Sequence, residues 1–371
     1  MKNKTLFIFS PAFPDEKESG WLPPVQVFIR ALNRNFPEIK LIIFSFQYPC
    51  YTKQYAWEGN TVIPFNGMHK NKFERLVMWL RIISTCYFKQ KNQNIIGILS
   101  LWCGECAFVA KYCAKLFSLK HFCWILGQDA RSFNTYVKRI KPKAEVLVAL
   151  SDFLRDEFYR SHNIQPGHVI TNGIDTGMFG AMPSVKDIDI IGVGSLSPLK
   201  QYNIFIEIVD EAKKYLPSIK AMLCGDGEEV KNIQFMIREK DLSKHVELTG
   251  QLEQRQALAM MQRTRIFLHP SSYEGFGTVC IEALYAGAHV ISFCKPMHHN
   301  LKNWHVVSTK EEMLEKVIQM LTDKNLVFEP ILIYSIDDSA KEMMKLFDYP
   351  FDEKEMNESS STAFSKTNNA V

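Results

Sequence analysis

Residues Ser271–Ser292 read SSYEGFGTVCIEALYAGAHVIS, and the reading of this stretch decides the fold. The apolar run Ile266–Leu268 just before it predicts a strand ending in His269-Pro270. Gly275 and Gly277 permit close backbone approach. A helix follows from near Thr278, carries Glu282 in its first turns and stops at Gly287, ahead of a strand at His289. The unbonded N–H groups at such a helix start favour an anion, phosphate above all. Glu274 and Glu282 stand eight positions apart on either side of that start. Carboxylates do not bind phosphate, so these two suit neutral hydroxyl partners at the ends of a ligand whose middle is anionic. A plainer alternative stays open on the residues alone: a glycine loop that turns strand into helix, with Glu282 on a solvated face.

The same strand–loop–helix rhythm runs through the chain. Strand patterns cover Leu6–Phe9, Leu41–Phe46, Ile95–Leu99, Phe122–Leu126 and Val146–Leu150, with helical patterns at Val25–Arg34, Phe73–Tyr87, Ala107–Phe117 and Phe153–His162 between them. The alternation restarts after NGIDTGMFGAMPSVKD, whose glycines and proline suit a linker. Strands then fall at Asp189–Val193, Ala221–Cys224, Val246–Leu248, Ile266–Leu268 and Val290–Phe293, with helices at Tyr202–Tyr215, Val230–Glu239 and Ala257–Gln262. This pattern predicts an α/β fold of two Rossmann-like, doubly wound parallel-sheet domains facing a central cleft. The expected domains are 1–178 and 185–332. A helix at about 333–350 returns to the first domain, and 352–371 reads as a disordered tail.

The 371 residues suffice for two cores, and 46% hydrophobic with 23% charged is an ordinary globular composition. No apolar run reaches the ~20 residues of a membrane span. The opening MKNKTLFIFSPAF reads as a first strand, not as a leader peptide. Nine cysteines without framework spacing point to reduced thiols in a cytosol. Net charge is +10 in residues 1–180 and −6 in 181–371, so the first half is expected to meet something anionic. Residues 68–91 hold six basic groups and one acid. Phe73, Leu76, Val77, Leu80, Ile83 and Tyr87 fall on one helical face there. The plain expectation is that this face packs on the sheet; Met78 and Trp79, set among the basic residues, keep an anionic membrane surface open as a partner.

The motif E-G-F-G-x4-E-A-x2-A-G resembles the signature of retaining glycosyltransferases of family 4, which have the GT-B fold. GVGSLSPLKQYNIFIEIV from Gly192, AMLCGDGEE from Ala221, VELTGQL from Val246, VLVALSDFLRDEF and VITNGIDTGMF are similar to further elements of that family. The resemblance is good over roughly 145–292 and loose elsewhere. It implies transfer of a sugar from a nucleotide diphosphate sugar, UDP- or GDP-linked, to a saccharide or lipid-linked acceptor, with no metal or other cofactor and no nucleic-acid partner. It implies surface polysaccharide or glycolipid synthesis in the cytoplasm, with peripheral attachment to the inner membrane face as an extension. By position, Glu282 would hold the ribose hydroxyls and Glu274 those of the transferred sugar. Gly275, Phe276 and Gly277 would offer backbone contacts to the diphosphate, Thr278 would join the donor site, Lys200 would neutralise the diphosphate and help it depart, and Gly250 and Gln251 would lie beside the base.

The chain departs from that family in four places. Ser195 stands in the donor loop where the family commonly has arginine. Only Gly20 remains of the double-glycine loop near the N-terminus, and Leu126 replaces a histidine. CKPMHHNLKNW replaces the Gly-Gly-x-x-Glu loop. These departures motivate a rival reading, a non-catalytic subunit that binds nucleotide or sugar. A nicotinamide dehydrogenase is disfavoured, since GVGSLSP ends its glycine pattern in Pro198. On the acceptor side Gly20, Asp129 and Arg131 are candidates; Asp129 reads equally well as the N-cap of a helix over ARSFNTYV, and Arg131 as a surface charge. Cys103 and Cys106 read as buried thiols, because zinc would need a second pair. Asp187-Ile188-Asp189 reads as a charged strand start.

Overall fold

The computed structural model describes residues 4–16, 20–183 and 185–349; the expected tail at 352–371 lies outside the described residues. The first sheet contains β1 (Lys4–Ala12), β2 (Lys40–Tyr48), β3 (Tyr55–Trp57), β4 (Asn60–Pro64), β5 (Asn94–Leu101), β6 (His121–Ile125), β7 (Leu147–Ala149) and β8 (His168–Val169). The order is β3-β4-β2-β1-β5-β6-β7-β8. Every pairing is parallel except that of β3 with β4, a short antiparallel hairpin at the edge that the sequence pattern does not announce. The second sheet runs β11-β10-β9-β12-β13-β14, all parallel. Its strands are β9 (Ile188–Val193), β10 (Ala221–Cys224), β11 (Val246–Gly250), β12 (Thr264–His269), β13 (His289–Ser292) and β14 (Trp304–Val306). Two doubly wound parallel sheets facing each other are the GT-B architecture.

Helices α1 (Pro23–Asn35), α2 (Lys72–Asn92), α3 (Glu105–Phe117), α4 (Thr135–Ile140) and α5 (Asp152–His162) serve the first sheet. Helices α6 (Tyr202–Ala212), α7 (Val230–Glu239), α8 (Gln254–Gln262), α9 (Thr278–Tyr285) and α10 (Lys310–Thr322) serve the second. The central strands of both sheets are buried on two faces, so β1, β2, β10, β12 and β13 are nearly continuous buried runs without alternation. Phe7, Phe9, Phe44, Phe46 and Phe65 form one ring cluster under α2 and α3. The last helix, α11 (Ile336–Leu346), packs on α1 of the first domain. The chain therefore crosses between domains twice, and the crossings touch: Ile174 N–H donates to the Tyr334 carbonyl at 3.0 Å, and Ile336 N–H to the Ile174 carbonyl at 3.0 Å. A Cβ on Gly173 would lie 2.1 Å from the Ser335 carbonyl carbon, so only glycine lets these backbones meet.

Helix α2 corrects one expectation. The stripe that packs on the sheet is Met78, Ile82 and Cys86, while Phe73, Leu76, Val77, Leu80 and Tyr87 are exposed, Phe73 by 74%. The helix carries two apolar stripes, and periodicity cannot say which one turns inward. The slender Met78–Cys86 stripe is the one that fits over the phenylalanine cluster. Asp187 pairs with Arg263 at 2.5 Å and Asp189 with Arg265 at 3.3 Å, as befits a charged strand start. Cys103 and Cys106 are buried free thiols.

Candidate functional site at the carboxyl ends of the second sheet

Parallel strands end on one side of a sheet, and the loops leaving β9, β11 and β12 carry most of the site. After β9 the chain turns through Ser195 into a single 3-10 turn, Pro198–Lys200. After β12 it runs through Glu274 and the glycines into α9, whose N-cap Gly277 has φ 81° and no side chain to cap the helix. Because β9 and β12 are neighbours, Lys200 and Glu274 meet, although 74 positions separate them in sequence. Their ammonium and carboxylate form a close ion pair, both largely withdrawn from water. His269, at the end of β12, contacts the same carboxylate oxygen through Nε2 at 2.9 Å.

The protonation of this trio follows from its surroundings. Burial would push the Glu274 carboxyl up, but His269 and Lys200 outweigh burial and bring it down to about 2. Burial holds the His269 imidazole below its ordinary value, so at neutral pH it serves as an uncharged N–H donor while Lys200 supplies the charge. Its Nδ1 has no hydrogen-bond partner among the described residues.

Glu282, one helix turn and more along α9, has a different setting. Gln254 Nε2, from the first turn of α8, donates to Glu282 at 3.0 Å. Burial pushes the Glu282 carboxyl up to about 7, and the single amide hydrogen bond only partly offsets this. Between Glu274 and Glu282 in sequence lies Cys280, a fully buried free thiol of α9. Gly250 (φ 71°) and Gln251 are exposed at the end of β11, on the loop that leads to Gln254. Ser195 is exposed on the β9 loop. Thr278 opens α9 and is partly buried.

The glycine loop also meets the first domain. A Cβ on Gly275 would lie 2.8 Å from the Leu126 carbonyl oxygen, and Ser151 Oγ donates to the Gly275 carbonyl. Phe276 is a core side chain, 1% exposed, against Tyr334 and Trp304. Tyr273 donates its hydroxyl to the Gly127 carbonyl at 3.2 Å, and the Arg131 guanidinium lies 4.9 Å over its ring. Arg131 is thus an interdomain contact. The Asp129 carboxylate accepts N–H bonds from Cys103 (2.7 Å), Gly127 (2.8 Å) and Leu126 (3.2 Å). Burial still pushes it up to about 6 against those bonds. It clips its own loop and caps no helix: α4 begins at Thr135, with Asn134 as its cap. Gly20 lies on an exposed turn ahead of α1, with nothing within 4 Å of its Cβ position.

His269 and Gln254 are the polar partners that motif reading passes over. The available signal for His269 is a polar residue closing a buried strand before proline, at the ligand end of the sheet. Gln254 carries none, since its role depends on how α8 lies beside α9.

Residues 181–331 match the family model described as glycosyl transferases group 1. A curated relative, the phosphatidylinositol N-acetylglucosaminyltransferase gpi3 subunit of Schizosaccharomyces pombe, is 31% identical over 127 residues, 33% of this chain and 28% of that protein. The chain spans less than half the length of the curated relatives it matches first. Among solved structures, a TarM mutant of S. aureus in complex with fondaparinux, α-GlcNAc-glycerol and UDP has a TM-score of 0.67 at 13% identity, covering 94% of this chain and 100% of that one. Anabaena HepE in complex with UDP-glucose has a TM-score of 0.63 at 16% identity, covering 98% of this chain and 99% of that one.

Proposed function

We propose, from the premise that residues 181–331 form a group 1 glycosyl transferase domain, that this chain moves a sugar from a nucleotide diphosphate sugar to an acceptor hydroxyl with retention at the sugar carbon. One observation carries the reading: Lys200, Glu274 and His269 converge beside the uncapped start of α9. That grouping suits a ligand with an anionic middle and hydroxyl-rich ends. The diphosphate of the donor lies against the α9 N–H groups and competes with Glu274 for Lys200. The carboxylate so released accepts hydroxyls of the sugar, with His269 holding it in place. Glu282, supported by Gln254, takes the ribose hydroxyls, and the base lies beside Gly250 and Gln251. As the bond from sugar to diphosphate breaks, charge grows on the leaving phosphate, where Lys200 and the helix amides stabilise it. The new glycosidic bond forms to the acceptor oxygen, whose proton passes to the leaving phosphate. The chemistry asks for no metal.

The first domain supplies the acceptor side through the Leu126–Arg131 loop, which abuts the glycine loop. A saccharide or lipid-linked acceptor of surface polysaccharide or glycolipid synthesis, used on the cytoplasmic side of a membrane, fits the basic first half. No helix among the described residues is long and apolar enough to cross a membrane. Peripheral attachment through α2 is part of the proposal: its exposed apolar stripe lies among Lys72, Arg75, Arg81 and Lys89. Co-sedimentation with anionic vesicles at low salt, lost in Leu80→Glu, is the expected result; equal partition of both proteins removes this part.

Thermal-shift screening against UDP, GDP, ADP and their sugars tests the central reading, because a bound nucleotide raises stability by mass action. Stabilisation by one base class and sugar transfer from its donor are expected; indifference to all of them defeats the reading. A second reading, a non-catalytic subunit, is favoured by Ser195, which brings no charge to a site whose one lysine is already neutralised by Glu274. Donor hydrolysis or transfer by the isolated chain excludes it.

A further inference from the structure

A groove of about 850 Å³ opens on the first domain, and none of its lining residues belongs to the second domain that carries Lys200, Glu274 and Glu282. It lies at the amino-terminal ends of the strands, beside His121 at the start of β6 and His168 at the start of β8, whereas the site lies at carboxyl ends. Its wall is mostly carbon, from Ala107, Ala114, Phe122, Cys123, Ile140 and Val146. Its mouth carries Lys111, Lys115, Lys120, Lys141, Lys143 and Lys345 against Glu145 and Asp348. His121 adds no charge at neutral pH, since burial takes it down to about 4.

Three of the lysines are committed within the protein. Lys111 donates to the Ile140 carbonyl at 2.6 Å, Lys120 pairs with Asp348, and Lys143 pairs with Glu145 at 3.4 Å. Lys115 and Lys141 are exposed and stand outside the ion pairs among the described residues. A volume in the range of single small-molecule sites, about 300–1,000 Å³, argues against a docked helix or strand. The carbon wall gives a free phosphate or nucleotide nothing to fill, and the uncommitted ammonium groups give a neutral lipid nothing to meet.

We propose that this groove binds a single-chain anionic amphiphile, its acyl or prenyl chain along the wall and its phosphate or carboxylate between Lys115 and Lys141. The proposal does not depend on the glycosyl-transfer reading. Burying one CH2 is worth about 0.8 kcal/mol, which sets about a fourfold gain in affinity per added methylene.

The test is calorimetric titration of the full chain, below micellar concentrations, with octyl, decyl and dodecyl phosphate, dodecyl maltoside and inorganic phosphate. Expected are one saturable site, about fourfold tighter binding per methylene, and no heat from inorganic phosphate. Dodecyl maltoside should bind about tenfold or more weaker than dodecyl phosphate. Lys115→Glu with Lys141→Glu should lower dodecyl phosphate affinity about tenfold at unchanged far-UV dichroism. Ala114→Trp, which fills the groove, should abolish binding, whereas Leu80→Glu on α2 should leave it unchanged. Affinity that ignores chain length, binding that survives Ala114→Trp, or binding lost in Leu80→Glu would each overturn the assignment. Displacement of dodecyl phosphate by a peptide of residues 350–358 (PFDEKEMNE) would give the groove to this chain's own acidic segment and overturn it as well.

Discussion

The loop before α9 and the helix itself hold the same side chain in different electrical states. Glu274, on the loop before the helix, is drawn down to about 2 by His269 and Lys200 against the pull of burial. Glu282, within the helix, is pushed up to about 7 by burial, with one amide bond in opposition. A motif written E-x7-E is symmetrical on paper, yet its two carboxylates have different work available to them. Glu274 is a permanently ionised acceptor, already holding the one cation of the trio. Glu282 is raised toward neutrality by burial, with the Gln254 amide as its hydrogen-bond donor.

Removing the cation breaks this contrast most severely. Lys200→Ala takes away the ammonium group that pairs with Glu274 beside the α9 start, and turnover should fall about 10²–10³-fold, the usual cost of losing a preorganised electrostatic contact. Initial rates with the donor that emerges from the thermal-shift screen measure it. Turnover within about twofold of wild type, in a protein with unchanged thermal midpoint, would show that the lysine merely pairs with Glu274.

The two acids also divide the pH dependence of stability between them. Glu274, depressed in the fold, stabilises above its unfolded value of 4.5, and this contribution is lost as pH falls toward about 2. Glu282, raised in the fold, has the reverse sign: stability is present below 4.5 and lost as pH rises through about 7. Glu282→Gln should therefore recover at most about 3 kcal/mol of unfolding free energy between pH 5 and pH 8, relative to wild type, by the 1.36 kcal/mol each pKa unit carries. Urea titrations at the two pH values read it directly, and parallel curves would mean that Glu282 is well solvated. The companion substitution Glu282→Ala should weaken nucleotide binding roughly ten- to hundredfold, the 1.5–3 kcal/mol of a hydrogen bond to a charged group, while turnover at saturating donor is spared.

The same contrast explains what was legible in the sequence. Strand–loop–helix order around Glu274 is a local property, so β12, the glycine loop and α9 fall where the residues place them, with Thr278 opening the helix. Restart of the alternation after the stretch 172–187 likewise announces a second sheet, whereas the close approach of Gly173 to Ser335 depends on a segment 162 positions away and is not legible locally. The partners of the acids are not local. Lys200–Glu274 depends on β9 and β12 being neighbours, and Gln254–Glu282 on the seat of α8 against α9. Short elements escape for another reason: β14 has three residues and β4 ends in Pro64, too little pattern for a period of two to register. Helix α10 was within reach of periodicity, since Thr309 caps it and Met313, Val317, Met320 and Leu321 are its buried residues, yet it lies outside the alternation drawn from the sequence. In α2 the period was clear but the face was not, because both stripes are apolar.

The smallest expected effect falls on His269, and it sharpens the comparison most finely. The imidazole is 1% exposed and touches Glu274 at 2.9 Å, so it acts through that carboxylate and is a positioning residue. His269→Gln retains an N–H donor of similar reach, whereas His269→Phe keeps the bulk and removes the donor. Turnover should fall about tenfold in His269→Phe and about twofold in His269→Gln, the difference being one hydrogen bond to a charged acceptor. The acid limb of the kcat profile should also move to higher pH in His269→Phe, because Glu274 then has Lys200 alone to hold it down against burial. A purely structural histidine would lower the thermal midpoint in both variants and leave that limb where it is. A shifted limb in His269→Phe, restored in His269→Gln, would show that the ionisation of Glu274 is set from both sides, by a neutral donor behind it and a cation in front.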